Sequence, residues 1–364
     1  MKVVHIINGL GTGGAEKLLQ ESIPLYNKLG IKTDLLLLNG TEHPFLKALK
    51  KSNPENVFSL GNKSVYNPFL IFKIIPFFKK YDIIHVHLFP SLYWVAFAKL
   101  LSFSKTKIVF TEHNTSNKRR SSFVFKILDK LVYSLYSKII TISPKVDKNL
   151  KNHLKFKEDK FSLLSNGIDL DFIIGQKPYP KKDLVPNASE DCFLLIQVAS
   201  FKPQKDQKTL IESLKYLEDD VFLLLVGEGV LEEECKALVA ALNLEKRVFF
   251  LGIRMDVIRL LKSSDVVVLS THHEGLSLSS IEGMASGKPF VASDAPGLSD
   301  IVEGAGVLFP IGDPIALANC VRKLRTDKAY YNLVSKSGME RAQEYDIKIM
   351  VAKTIEVYQS ILKR

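Results

Sequence analysis

The sequence predicts two α/β domains, each built on a parallel sheet covered by helices, and three observations carry that prediction. The chain has 364 residues, enough for two domains that each bury a core of their own. Short aliphatic or β-branched runs alternate with helix-length amphipathic segments through both halves. Between the halves, residues 176–191 hold three prolines, an asparagine and several charges, which is a linker composition.

In the first half, residues 3–7, 33–38, 83–87, 107–111 and 138–142 read as strands; in the second, 193–198, 222–226, 248–251, 266–269 and 289–292 do. Residues 347–362 carry apolar side chains at helical spacing and read as a closing helix. The expected organisation is a domain over 1–180, a second over 186–345 and a final segment over 346–364, with the boundary near 185.

Composition excludes several classes. With 46% hydrophobic and 24% charged residues and a mean hydropathy of +0.07, neither disorder nor a fibrous repeat is expected. Cys192, Cys235 and Cys320 are odd in number and form no CxxC, so neither a disulfide framework nor a zinc knuckle is expected, and a cytoplasmic location fits. The apolar run in residues 1–10 is short for a signal peptide and reads as a strand. Lys73 and Pro76 break the nearest thing to a membrane span, residues 69–78.

The net charge of +11 is unevenly placed: residues 1–180 hold 25 Lys and 2 Arg against 13 acidic residues, while the remainder of the chain is slightly acidic. Basic and aromatic residues interleave from Phe72 to Tyr81 and again from Lys118 to Lys138, a pattern suited to an anionic lipid surface. No RNA-binding signature or helix-turn-helix is visible, so no nucleic-acid partner is expected.

The chemistry-bearing segments are loops. Gly9-Leu10-Gly11-Thr12-Gly13-Gly14-Ala15-Glu16 follows the first strand and opens a helix, a place where backbone N–H groups meet phosphates. The spacing satisfies G-x-G-x-x-G, but the second strand runs into Asn39-Gly40 without the terminal acid a dehydrogenase needs for the ribose. Further along, a strand ending at Leu269 leads to His272-His273-Glu274-Gly275-Leu276-Ser277-Leu278, then a helix with Glu282 that Ser277 or Ser279 would cap and Gly287 would end. Such a loop presents Glu274 at the carboxyl edge of a sheet, where open α/β folds bind ligands.

Glu274 to Glu282 followed by Gly-Met-Ala-Ser-Gly-Lys-Pro resembles the E-x7-E signature of the retaining glycosyltransferases of family 4, the "group 1" type that includes enzymes of bacterial surface-polysaccharide synthesis. Asn166-Gly167-Ile168-Asp169 is similar to that family's interdomain turn, Val226-Gly227-Glu228-Gly229 to its G-[DE]-G segment, Val248 to Gly252 to its strand before the base-binding loop, and Gly13 to Glu16 to its N-terminal glycine loop. The resemblance covers most of the chain. It implies the GT-B fold: two facing Rossmann-like domains, an acceptor-binding one and a nucleotide-sugar-binding one, with the active site in the cleft and a C-terminal crossover helix packing back on the first.

It also implies roles. Glu274, Lys205 and His113 would be catalytic. Gly13, Gly14, Ser200, Lys202, Lys205, Gly227, Arg254, Glu274, Gly275, Leu276, Ser277, Leu278 and Glu282 would bind the donor, Glu274 through the sugar and Glu282 through the ribose. Lys205 matches the family's diphosphate-neutralising lysine, but Ser200 stands where a partner arginine belongs, and Lys202 is expected to supply that charge. His113 matches the family's histidine at the cleft. His85 and His87 read as packing or supporting groups, and His272 and His273 remain ambiguous. The resemblance implies a nucleoside diphosphate sugar as substrate, no cofactor, no metal, a glycan or lipid-linked acceptor, and peripheral contact with an anionic membrane at the inner face of the plasma membrane. The alternatives are a sugar-nucleotide epimerase of the same fold, an NAD-dependent dehydrogenase and a non-catalytic nucleotide-sugar-binding module.

Overall fold

The computed structural model describes residues 1–11, 13–52, 56–114, 120, 122–185, 189 and 191–363. Thr12 of the glycine loop, Lys118 at the start of the second basic–aromatic stretch, and Pro186 lie outside the described residues. The backbone divides into two compact units, one made of Met1–Gly167 with Ile347–Arg364 and the other of Ile168–Asp346.

The first unit holds a seven-stranded sheet in the order β3-β2-β1-β4-β5-β6-β7. Its strands are β1 (Lys2–Ile7), β2 (Lys32–Leu37), β3 (Val57–Ser59), β4 (Ile83–His87), β5 (Lys107–Glu112), β6 (Lys138–Thr141) and β7 (Phe161–Leu163), and every pairing is parallel. Strand alternation sorts the side chains onto two faces. Val4, Ile6, Ile84, Val86, Ile108 and Phe110 pack into one core. Val3, Ile83, Val109 and Ile140 face the other way, beneath the helix Gly14–Lys28 and the C-terminal helix Ile347–Leu362, which contribute Leu18, Tyr26, Val351 and Tyr358.

The second unit holds a six-stranded sheet in the order β10-β9-β8-β11-β12-β13, built from β8 (Phe193–Val198), β9 (Val221–Val226), β10 (Val248–Phe250), β11 (Val266–Leu269), β12 (Phe290–Ser293) and β13 (Val307–Phe309). All its pairings are parallel. Leu194, Ile196, Val267 and Leu269 face one core, and Leu195, Val266 and Val268 the other.

Two expectations about the chain need correction. The division falls at Gly167/Ile168, inside the Asn166–Asp169 turn, rather than near 185. Ile168 and Ile173 are buried in the second unit's core, and Ile168 bridges to Asp346, so residues 168–180 belong there despite their loop-like composition. Strands β3, β7 and β13 were not anticipated. Each has three residues at an edge of its sheet; β10, equally short and also at an edge, was anticipated as 248–251.

Candidate active site

In the second unit the residues in question follow the carboxyl ends of β8, β9, β10 and β11. Ser200, Lys202 and Lys205 follow β8, Gly227 follows β9, Arg254 follows β10, and Glu274 to Leu278 follow β11. Because these four strands are neighbours in the sheet, their loops share one edge.

Two loops lock together there. Lys205 forms an isolated bridge with Thr271. The His272 N–H donates to the Gln204 carbonyl at 2.9 Å, and the Gln204 amide donates to the His273 carbonyl at 2.6 Å. The clamp brings the Lys205 ammonium onto the Glu274 carboxylate as an ion pair. Glu274 is buried and Lys205 partly so, which strengthens their attraction and raises the cost of removing either alone. The rings of His272 and His273 are exposed, so their backbone rather than their imidazoles holds the loop.

The Glu274 N–H donates to the Pro296 carbonyl at 3.0 Å. Next to it, Gly297 has a φ of +86°, and a Cβ there would sit 2.2 Å from the Glu274 carbonyl oxygen. Gly227, at φ +136°, similarly lets its loop pass so close that a Cβ would fall 2.3 Å from the Ala199 carbonyl. Both glycines permit backbone contacts that no side chain could tolerate.

The helix Leu278–Ala285 begins beside Glu274. Ser277 stands at its N-cap, but the expected serine cap does not form: the Ser277 hydroxyl pairs with that of Ser279 at 3.0 Å, and the Ser280 hydroxyl donates to the Ser277 carbonyl at 2.7 Å. The first N–H groups are therefore uncapped by Ser277. Glu282 is buried one turn in. At the other end Gly287, at φ +78°, follows the helix as expected.

Arg254 and Lys202, two further expected donor contacts, have different surroundings. Arg254 is gripped by Asp256 through two hydrogen bonds of 2.8 and 2.6 Å, and Tyr179 donates to the same carboxylate at 2.7 Å. Arg254 and Tyr179 together hold the Asp256 carboxyl down at about 2. Lys202 is exposed, and its N–H donates to the Ser200 carbonyl at 3.0 Å.

In the first unit, Gly13 and Gly14 start the helix after β1, and the Lys17 N–H donates to the Gly13 carbonyl at 2.9 Å. The one acid of β2, Asp34, lies mid-strand and accepts the Tyr81 hydroxyl at 2.6 Å. His113 follows β5 and is partly buried. Beside it, the buried Glu112 carboxylate is met by Arg120, by the Tyr133 hydroxyl at 2.9 Å and by the Asn114 N–H at 3.0 Å.

His113 does not stand alone. Its Nε2 is 3.0 Å from His87 Nδ1, and His87 Nε2 is 2.9 Å from His5 Nδ1. Spacing along the sequence did not show this cluster. His5 was missed altogether, although the 2-1-4 strand order of such sheets places it level with His85. His5, His85 and His87 offer ligating nitrogens within 4.8 Å of one another and could hold a metal ion, though all six ring nitrogens are already engaged with neighbours.

Residues 180–341 match the family model "Glycosyl transferases group 1", and residues 12–172 match "Glycosyltransferase Family 4". The chain is a family 4 glycosyltransferase. The transferase is 28% identical over 273 residues to the Escherichia coli UDP-Gal:alpha-D-GlcNAc-diphosphoundecaprenol alpha-1,3-galactosyltransferase, covering 71% of this chain and 70% of the relative. It is 26% identical over 97% of both chains to a Campylobacter jejuni N-acetylgalactosamine-N,N'-diacetylbacillosaminyl-diphospho-undecaprenol 4-alpha-N-acetylgalactosaminyltransferase. Anabaena HepE, solved in complex with UDP and glucose, superposes with a TM-score of 0.85 at 22% identity, covering 99% of the transferase and 100% of HepE, and the fold is GT-B. Among the described residues no helix is long and apolar enough to cross a membrane.

Proposed function

We propose that the transferase moves a sugar from a nucleoside diphosphate sugar to a lipid-linked saccharide with retention at the anomeric carbon, at the cytoplasmic face of a membrane. The observation that carries the reading is the Lys205–Glu274 ion pair at the carboxyl edge of the second sheet, with Glu282 buried on the helix that follows. In the free protein each charge satisfies the other. When the donor enters, its diphosphate takes the ammonium and its sugar hydroxyls take the carboxylate, so neither charge is left bare.

The barrier is departure of the diphosphate from an oxocarbenium-like centre. Lys205 and Lys202 stabilise the charge gathering on the leaving group, assisted by the N-terminus of Leu278–Ala285. Glu282 receives the ribose. The acceptor oxygen attacks from the face the diphosphate leaves, and a departing phosphate oxygen takes its proton, so no separate base is required; His113 orients a substrate hydroxyl. In this scheme no metal ion or cofactor takes part.

The printed names of the Escherichia coli and Campylobacter relatives specify diphosphoundecaprenol-linked acceptors, which supports a lipid-linked acceptor here. The surface of the first unit adds support for contact with an anionic leaflet. On the helix Phe123–Ser134, Phe123, Val124, Ile127 and Leu131 are all more than half exposed, with exposed Lys126 and Lys130 among them.

The test is thermal stabilisation by UDP-, GDP-, ADP- and dTDP-sugars beside NADH, followed by transfer to undecaprenyl-diphosphate saccharides and NMR of the new anomeric centre. Stabilisation by one sugar nucleotide, lost in Glu282→Ala, with a retained configuration is expected. An inverted product, or stabilisation by NADH alone, overturns the reading.

A further inference from the structure

A parallel sheet face lying under two helices ordinarily fills with aliphatic side chains. In the first unit that face carries three buried histidines. His5 and His85 are register partners on β1 and β4, and His87 lies two residues further along β4, opposite Thr111 of β5. Tyr358 of the C-terminal helix reaches in over them. Its hydroxyl is 2.5 Å from His85 Nδ1 and 3.4 Å from His5 Nε2, and it also pairs with Tyr26. His85 Nε2 meets the Thr111 hydroxyl at 2.7 Å. From His5 the contacts continue to His87 and then to His113.

Burial keeps these rings neutral at pH 7: it holds His5 at about 3 and His113 at about 4, and keeps His85 and His87 well below the ordinary histidine value. A neutral imidazole has one N–H and one bare nitrogen. In a row of such rings, the direction of one hydrogen bond therefore dictates the direction of the next.

The row is anchored at Tyr358. Its single hydrogen goes to His85, the nearer of the two rings, or to its partner Tyr26, so its oxygen faces His5 as an acceptor. His5 then carries its hydrogen on Nε2 and leaves Nδ1 bare. His87 donates from Nε2 to that bare nitrogen, and His113 donates from its own Nε2 to His87 Nδ1.

We propose that Tyr358, through His5 and His87, sets the tautomer of His113 so that Nδ1 is presented as an acceptor to a substrate hydroxyl. The part of this that concerns substrate rests on the proposed function; the tautomer itself does not. His5, His87 and Tyr358 are positioning residues, and they tie the orientation of His113 to the docking of the C-terminal helix.

The experiment is 15N NMR of the full chain with labelled histidines and no substrate, the eight histidines being assigned by single substitutions. The ring nitrogens of His5, His87 and His113 should each show Nε2 protonated and Nδ1 bare. In Tyr358→Phe the anchor is gone, and His113 should become a mixture of tautomers; His5→Asn, which interrupts the row, should do the same if Tyr358→Phe folds poorly. A His113 protonated on Nδ1 in the parent protein, or a tautomer unmoved by both substitutions, overturns the relay.

Turnover is read on the same variants. Tyr358→Phe should lower kcat by about fivefold, the worth of one misdirected hydrogen bond, with little change in the donor KM. Unchanged turnover in both Tyr358→Phe and His113→Ala, with the tautomers as expected, would overturn the substrate role of His113 and leave the relay standing.

Discussion

Gly297→Ala tests how closely the Glu274 loop must be placed. A Cβ on Gly297 would lie 2.2 Å from the Glu274 carbonyl oxygen, whereas carbon and oxygen need about 3.2 Å, so the loop has to retreat by roughly 1 Å. That displacement falls on the residue whose carboxylate is to grip the donor sugar. A misplacement of about 1 Å costs on the order of a hundredfold in rate, or about 2.7 kcal/mol. The backbone angle of +86° adds strain of about 1–2 kcal/mol for any residue with a Cβ, and lowers Tm by a few degrees.

Gly304→Ala separates the two effects, because Gly304 has a φ of +75° and nothing within 4 Å of its Cβ position. The assay is kcat/KM for transfer alongside nucleoside diphosphate binding by calorimetry. Gly297→Ala should lose about a hundredfold in kcat/KM while still binding the nucleoside diphosphate, and Gly304→Ala should lose only stability. Equal activity losses in the two variants, or parental activity in Gly297→Ala, would refute the reasoning.

Lys205→Met leaves the Glu274 carboxylate buried without its ammonium and should destabilise the second unit by about 3 kcal/mol, whereas Lys205→Met with Glu274→Gln should recover most of that in urea titrations while remaining inactive. If Lys202 replaces the charge missing at Ser200, Lys202→Ala should lower turnover at least tenfold and Ser200→Ala hardly at all; unchanged turnover in Lys202→Ala refutes the substitution. Between pH 6.5 and about 4, unfolded histidines bind protons that His5, His85, His87 and His113 refuse when folded, so stability is full above 6.5 and falls by about 1.4 kcal/mol per pH unit for each ring as pH drops through that window; denaturant midpoints in His5→Asn should show a shallower slope. Phe123→Ser with Leu131→Ser should reduce sedimentation with anionic vesicles by at least tenfold, and unchanged sedimentation would move the membrane contact elsewhere.

Much of the fold was legible because a buried parallel strand is a continuous aliphatic run. The segments 193–198 and 266–269 coincide with β8 and β11 for that reason, and 347–362 with the C-terminal helix through its spacing. The edge strands β3, β7 and β13 left no such trace, whereas β10, as short, was read from the run 248–251. The linker was misread because prolines and charges at 176–191 report local conformation, while Ile168 and Ile173 decide which core the segment joins. In the site, Lys205 and Glu274 could be named from their motifs, but that they form an ion pair depends on the 204–205 and 271–273 loops meeting. The serine cap failed because Ser277 found a nearer hydroxyl in Ser279. His5 escaped notice because the histidines beside it in space lie 80 residues and more further along.

The helix Ile347–Leu362 places the completion of the first unit after the whole of the second in order of synthesis. A ribosome releases residues 1–167 early, then must produce the whole second unit before Tyr358 and Ile361 appear to cover the His5 and His85 face. Until then a nascent chain leaves part of that face, Val3 and Ile83 with the histidines among them, without its covering helix, and its imidazoles lack the Tyr358 phenol that orients them. Any fragment ending before residue 347 is therefore expected to need a chaperone's shelter rather than to act as a spare half-enzyme.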